Sequence, residues 1–191
     1  MGGSMNAEEL KGLEQGSEAW SRWRDEGFGS SDACQMAGFF GGLKKLKMEK
    51  APNARMARGT ALEPAARMRF IETTQCWIRP GCFQHAQYKF LRASLDGISD
   101  DHKIIVEIKC PSWKVHEMAL GGEVVDYYRP QVNWQMLVMG HQSMLFASFF
   151  PDTPRHEEQL AIVRVDADTA MQENLFDKAR QAARARGWWN D

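Results

Sequence analysis

Two short segments, Ser94-Leu95-Asp96-Gly97 and Ile104-Ile105-Val106-Glu107-Ile108-Lys109-Cys110-Pro111, flank the polar group Ser99-Asp100-Asp101-His102. β-prone residues on either side of a polar turn predict a hairpin, and Pro111 stops its second strand. Residues two apart on a strand share a face, so Glu107 and Lys109 point together while Val106 and Ile108 enter the core on the other side. Asp96 and Glu107 offer hard oxygen ligands of the kind that Mg2+ or Mn2+ takes, and the Ile108 backbone carbonyl lies between them and the lysine. Beside a metal-bound water, Lys109 would orient the nucleophile, help take its proton, or stabilise charge on the phosphorane-like transition state. A Glu-x-Lys pair alone is also what any amphipathic strand shows on its solvated face. The pattern gains weight from Asp96-Gly97 before it and Cys110-Pro111 after it.

Outward from this unit, the chain reads as helix, strands, helix, strands, helix. Ser17 caps a helix over 17–24, and Ser30 or Ser31 caps a short one running to Met36. A basic stretch over 44–50, read as flexible, precedes a long helix over 53–73, in which Pro64 marks a fresh start. Short β-prone runs at 76–78, 83–85, 90–93 and 104–109 predict a small sheet. Ser112 caps a helix to about Leu120, another spans 127–139, strands follow at 144–150 and 159–165, and Asp168 opens a last helix ending near Gly187. This order describes an α/β sandwich with a central mixed sheet flanked by helices.

With 191 residues, 43% of them hydrophobic and 26% charged, the chain has the composition of one globular domain over 1–191. Residues 1–4, ahead of a second methionine at Met5, read as an added leader. No apolar run approaches the ~20 residues of a membrane span and no signal peptide opens the chain, so a cytoplasmic protein without a membrane partner is expected. Net charge is −1, but its distribution is uneven: residues 22–92 hold 13 basic against 6 acidic side chains, and residues 93–191 hold 10 against 15. One strongly basic segment suits a protein that meets DNA along a single surface, and equally suits a solvated face. Cys34, Cys76, Cys82 and Cys110 read as free thiols. An iron–sulfur cluster lacks a tight Cys-x-x-Cys seed, and Cys82 with His85 would make only half a zinc site. Most of the seven tryptophans read as core or interface residues. Trp188-Trp189, hard to bury locally so near the chain end, read as a subunit or partner contact.

From about Trp20 to about Val138 the sequence resembles the family of lambda exonuclease and the YqaJ-type viral recombinases, within the PD-(D/E)xK superfamily. Trp20-Ser21-Arg22-Trp23-Arg24 followed by Gly29-Ser30-Ser31 is similar to the family's Trp-x-x-x-Arg stretch and its small, Ser-containing turn. Gly59 to Glu63 matches Gly-x-x-x-Glu. Ser94 to Gly97 and Glu107 to Pro111 match Ser-x-Asp-Gly and Glu-x-Lys-Cys-Pro. Tyr128-Arg129-Pro130-Gln131 matches the start of Tyr-x-x-Gln-x-Gln, with Asn133 in place of the second glutamine. The resemblance implies a restriction-endonuclease-like core and a Mg2+-dependent 5′-to-3′ exonuclease. Such an enzyme degrades the 5′-ended strand of linear double-stranded DNA to mononucleotides and leaves 3′ overhangs for single-strand-annealing recombination. It also implies a homotrimeric ring threaded by DNA and a single-strand annealing protein as partner. By the same resemblance Glu63, Asp96 and Glu107 bind metal, Lys109 is the catalytic lysine, and Gln131 lines the site. Arg24 and Ser31 grip the 5′-terminal phosphate, and Ser94 contacts the next. A guanidinium fork with hydroxyls beside it is chemically suited to a phosphate dianion. An endonuclease of the same fold and a non-catalytic DNA-end-binding protein are the rival readings.

Overall fold

The structure of the protein, a computed structural model, describes residues 6–46 and 54–190. The leader at 1–4, most of the basic stretch and the expected first residue of the long helix lie outside them. Six strands, β1 (Ala7–Glu9), β2 (Arg79–His85), β3 (Arg92–Ile98), β4 (Ile105–Lys109), β5 (Ser143–Phe149) and β6 (Leu160–Asp166), form one sheet in sequence order. Only β4 and β5 run parallel; the other neighbours are antiparallel. A parallel pair needs a long crossover. Here α4 (Trp113–Leu120) and α5 (Arg129–Met139) supply it, so Lys109 and the helix carrying Gln131 are consecutive parts of one connection. The expected mixed sheet flanked by helices is the observed architecture.

The remaining helices are α1 (Glu18–Asp25), α2 (Ser30–Met36), α3 (Ala54–Thr74) and α6 (Thr169–Ala185). Ser17 caps α1 by accepting the Trp20 N–H, and Asp168 caps α6 by accepting that of Met171, as their sequence positions predict. The alternation within β4 sorts the core into two clusters. Val106 and Ile108 pack with Ala66 and Phe70 of α3, whereas Ile105 joins a larger cluster with Trp134, Met136 and Phe146. Glu107 lies between them in sequence at 1% exposure, so a charged side chain sits at core depth on the α5 side.

Several local expectations are corrected. Residues 76–78 are not a strand: Ile78 is buried, Trp77 is 61% exposed, and pairing begins at Arg79. Helix α3 runs unbroken through Pro64, because Ala66 and Phe70 anchor the turns beyond it to the sheet. Neither Ser30 nor Ser31 caps α2. Gly29 does, donating its own N–H to Asp32 Oδ2 at 2.7 Å, which leaves both hydroxyls for other work. Lys44 and Lys45 close a 3-10 helix, Phe39–Lys45, rather than opening a loop. Ser112 occupies the cap position of α4 without a side-chain capping bond, and a 3-10 turn, Asp126–Tyr128, precedes α5. The edge strand β1 is too short to show a period in sequence. Trp188 and Trp189 fold back on the chain itself. Their rings lie 5.0 Å from Phe28 and 6.1 Å from Phe90, so both are partly buried against the larger core cluster.

Candidate active site

The β3–β4 ladder ends at Gly97↔Val106, while β4 continues pairing with β5 as far as Lys109. Past that last pair, Asp96 Oδ2 takes the Ile108 N–H at 2.8 Å in place of a β3 carbonyl. Asp96 therefore stands opposite Glu107 where the two strands part. The next residue, Gly97, lets Ile78 pack directly against β3, since a Cβ there would lie 2.4 Å from Ile78 Cδ1. Glu107 is held by three donors: Lys109 Nζ and Gln131 Nε2 on Oε1, and Gln135 Nε2 on Oε2 at 2.5 Å. A buried carboxylate is tolerable only with such partners. Burial first, and then the neighbouring Glu107 charge, hold the Asp96 carboxyl well above the usual carboxylate range. Burial alone would weaken the Lys109 ammonium, but the charges of Glu107 and Asp96 outweigh it and hold its pKa above that of an ordinary lysine.

Asp96, Glu107, Lys109 and Gln131 line one cavity of about 160 Å³ together with Arg24, Ser31 and Ser94. Within it Arg24 Nη2 donates to Ser31 Oγ at 2.6 Å, and its guanidinium lies 4.6 Å from the Trp20 ring centroid. Trp20 Nε1 in turn donates to Ser94 Oγ at 2.9 Å. Residues from α1, α2 and β3 are thus linked by hydrogen bonds within the cavity that the carboxylates also line. Glu63 lies on another side, lining an adjoining cleft with Asp96, Ile108 and Lys109. Its carboxylate pairs with Arg67 Nη2, and Arg67 Nε donates to the Asp96 carbonyl at 2.8 Å. Among the described residues, no group of three or more His, Cys, Asp or Glu side chains is placed to hold a metal. Asp96, Glu107 and the Ile108 carbonyl nevertheless fit Mg2+ or Mn2+ by donor chemistry: the donors are all oxygen, two are carboxylates facing each other across the parting strands, and these ions keep several waters.

Sequence reasoning missed Gln135, Arg67 and Trp20 as neighbours of the site. Gln135 had a signal, being one helical turn beyond Gln131 and so on the same face of α5. Asn133 points elsewhere: its Oδ1 accepts the Asp168 N–H at 2.8 Å and its Nδ2 donates to the Arg129 carbonyl, so it ties α5 to the start of α6. None of the four cysteines forms a disulfide, and His85 Nδ1 already accepts the N–H groups of Gln87 and Tyr88.

A six-stranded mixed sheet that brings Asp, Glu and Lys from two neighbouring strands to one cavity has the PD-(D/E)xK nuclease fold. Residues 19–142 match the model of the YqaJ-like viral recombinase domain, more than half of the chain. The chain belongs to that family. Among solved structures it is similar to LHK-Exo, an alkaline exonuclease from Laribacter hongkongensis. The TM-score is 0.74 at 27% identity, covering 86% of this chain and 90% of that one. LHK-Exo in complex with dAMP gives 0.74 at 26%, covering 85% and 89%. A phage related exonuclease from Haemophilus somnus 129PT, with TM-score 0.51, 14% identity and coverage of 85% and 78%, shares the fold alone. Comparison with curated proteins finds no match. Among the described residues, no helix is long and apolar enough to cross a membrane.

Proposed function

We propose that this protein is a Mg2+-dependent exonuclease that degrades the 5′-ended strand of linear duplex DNA to mononucleotides, leaving 3′ overhangs. The observation that carries this reading is the shared cavity, lined by Asp96, Glu107 and Lys109 together with Arg24, Ser31 and Ser94. A pocket that holds the 5′-terminal phosphate beside the hydrolytic groups fixes which bond is cut, one nucleotide in. Similarity to an alkaline exonuclease that was crystallised with dAMP supports a mononucleotide product.

A divalent ion, when bound, supplies Lewis-acid polarisation and a nucleophilic water. Asp96 and Glu107 would hold it, with Gln131 and Gln135 fixing the Glu107 carboxylate. Lys109, kept as an ammonium by Glu107, is suited to orient the water and offset negative charge at the reacting phosphate. Glu63 would act from the adjoining cleft. The family resemblance further supports a homotrimeric ring and a single-strand annealing partner, which mass in solution and co-purification test.

On end-labelled linear duplex with Mg2+, labelled mononucleotide is expected to appear first from the 5′ ends. EDTA is expected to stop its release, and covalently closed circles should survive. Cleaved circles would point to an endonuclease of this fold, and intact linear DNA to a non-catalytic end-binding protein. Arg24→Ala is expected to slow turnover of 5′-phosphorylated ends by about 10-fold or more, since a charge-assisted contact is lost, and to leave 5′-hydroxyl ends little changed. An equal loss on both substrates would count against the phosphate-receptor role.

A further inference from the structure

The same cavity is also lined by Trp23, Ser30 and Arg92. Arg92 is 7% exposed. Its Nε donates to the Lys89 carbonyl at 3.2 Å, its Nη2 lies 3.8 Å from Glu26 Oε2, and its guanidinium rests 5.2 Å from the Trp23 ring centroid. Among the described residues, its remaining nitrogen, Nη1, has no hydrogen-bond partner. Trp23 Nε1 and Ser30 Oγ are likewise buried without hydrogen-bond partners among the described residues. Gly27 seats the arginine, because a Cβ there would lie 2.4 Å from Arg92 Nε.

Leaving a buried polar group unsatisfied costs about 1–3 kcal/mol, more for a charged one. Here three such groups gather in residues lining one cavity, and the guanidinium has only a distant, exposed carboxylate for neutralisation. All three can donate: a guanidinium N–H, an indole N–H and a hydroxyl. The ligand that satisfies such a set is an oxyanion.

We propose that Arg92, Ser30 and Trp23 form a second phosphoryl-binding element, distinct from the contacts that Arg24, Ser31 and Ser94 supply. This rests on the nuclease reading only for its natural ligand, a phosphoryl group at or next to the DNA end; free inorganic phosphate offers the same chemistry. Consecutive helix residues diverge by about 100°, so Trp23 and Arg24 address different parts of the cavity. Ser30 and Ser31 repeat that division on α2.

The test follows the indole N–H resonance of Trp23 in 15N-labelled protein free of divalent metal, identified by its absence in Trp23→Phe. Inorganic phosphate, or a 5′-phosphorylated duplex but not its 5′-hydroxyl counterpart, is expected to shift it. A shift with phosphate alone identifies a general oxyanion site, and a shift only with the duplex identifies the DNA end as the source; both support the element. Arg92→Gln and Ser30→Ala are expected to raise the half-saturating concentration by about 10-fold and about 5-fold. Should Arg92→Gln fail to fold, Ser30→Ala decides: deleting an unpaired buried hydroxyl should leave Tm unchanged or higher while weakening binding, a combination that a structural hydroxyl would not give. A Trp23 resonance unmoved by either ligand, or moved equally in Ser30→Ala, overturns the proposal. None of these readouts needs hydrolysis, so an inactive protein that passes them refutes the exonuclease and not the anion site.

Discussion

Lys109→Ala is expected to slow hydrolysis of linear duplex DNA by about 10²–10³-fold while leaving affinity for the DNA ends roughly unchanged, the pattern of a group that acts on the transition state. The substitution removes the ammonium beside Glu107 but leaves the two glutamine donors on that carboxylate, so the buried charge stays partnered and the fold should persist. Single-turnover digestion in Mg2+, set beside end binding by anisotropy in EDTA, separates chemistry from binding. Unchanged turnover would remove Lys109 from the chemistry. A matching loss of binding would make it a DNA contact.

Asp96→Asn should abolish activity to a similar degree and yet raise metal-free stability. Asp96 is half-buried opposite Glu107, and its carboxyl is held well above the usual range by desolvation and by the facing charge. A carboxyl whose pKa is raised on folding binds its proton more tightly in the folded state. Its contribution is therefore fully present below the ordinary Asp value and is lost as pH rises through the elevated folded value. The wild-type protein in EDTA should accordingly lose stability across that window, whereas the Asn variant, which keeps an acceptor for the Ile108 N–H, should not. The Tm gap is expected to be small in acid and to open toward alkaline pH, at about 2–4 °C for each kcal/mol of relieved repulsion. Mg2+ should narrow the gap by stabilising the wild type alone. A gap that stays constant with pH would mean that the two carboxylates do not share one electrostatic site. Losing function while gaining stability is what a strained functional site gives.

The part of this site that sequence made visible lies on regular elements with a known period. Glu107 and Lys109 share a face because they are two apart on a strand, and Val106 and Ile108 go to the core for the same reason. Asp96-Gly97 was legible as a motif, although the close packing against Ile78 that requires the glycine was not. What stayed hidden depends on contacts between residues far apart in the chain. Arg67 reaches the Asp96 carbonyl across 29 positions and Trp20 reaches Ser94 across 74. Arg92 reads as an ordinary strand residue until Gly27 and Trp23 are seen beside it. Asn133 drew attention because it broke a motif, but its partners on α6 show that it braces the helix. Pro64 does not interrupt α3, since local helix breaking is outweighed here by the apolar anchors that follow it. The packing of the tryptophan pair near the chain end is not legible in sequence because Phe28 and Phe90, the aromatic residues beside it, lie far upstream.

The most direct test of the central claim is a crystal of the protein soaked in Mn2+ and measured for anomalous scattering. The predicted result is a peak between the carboxylates of Asp96 and Glu107, within about 2.0–2.3 Å of an oxygen from each, lost in Asp96→Asn crystals. Manganese bound only elsewhere, in crystals whose protein still digests linear duplex, would contradict the assignment.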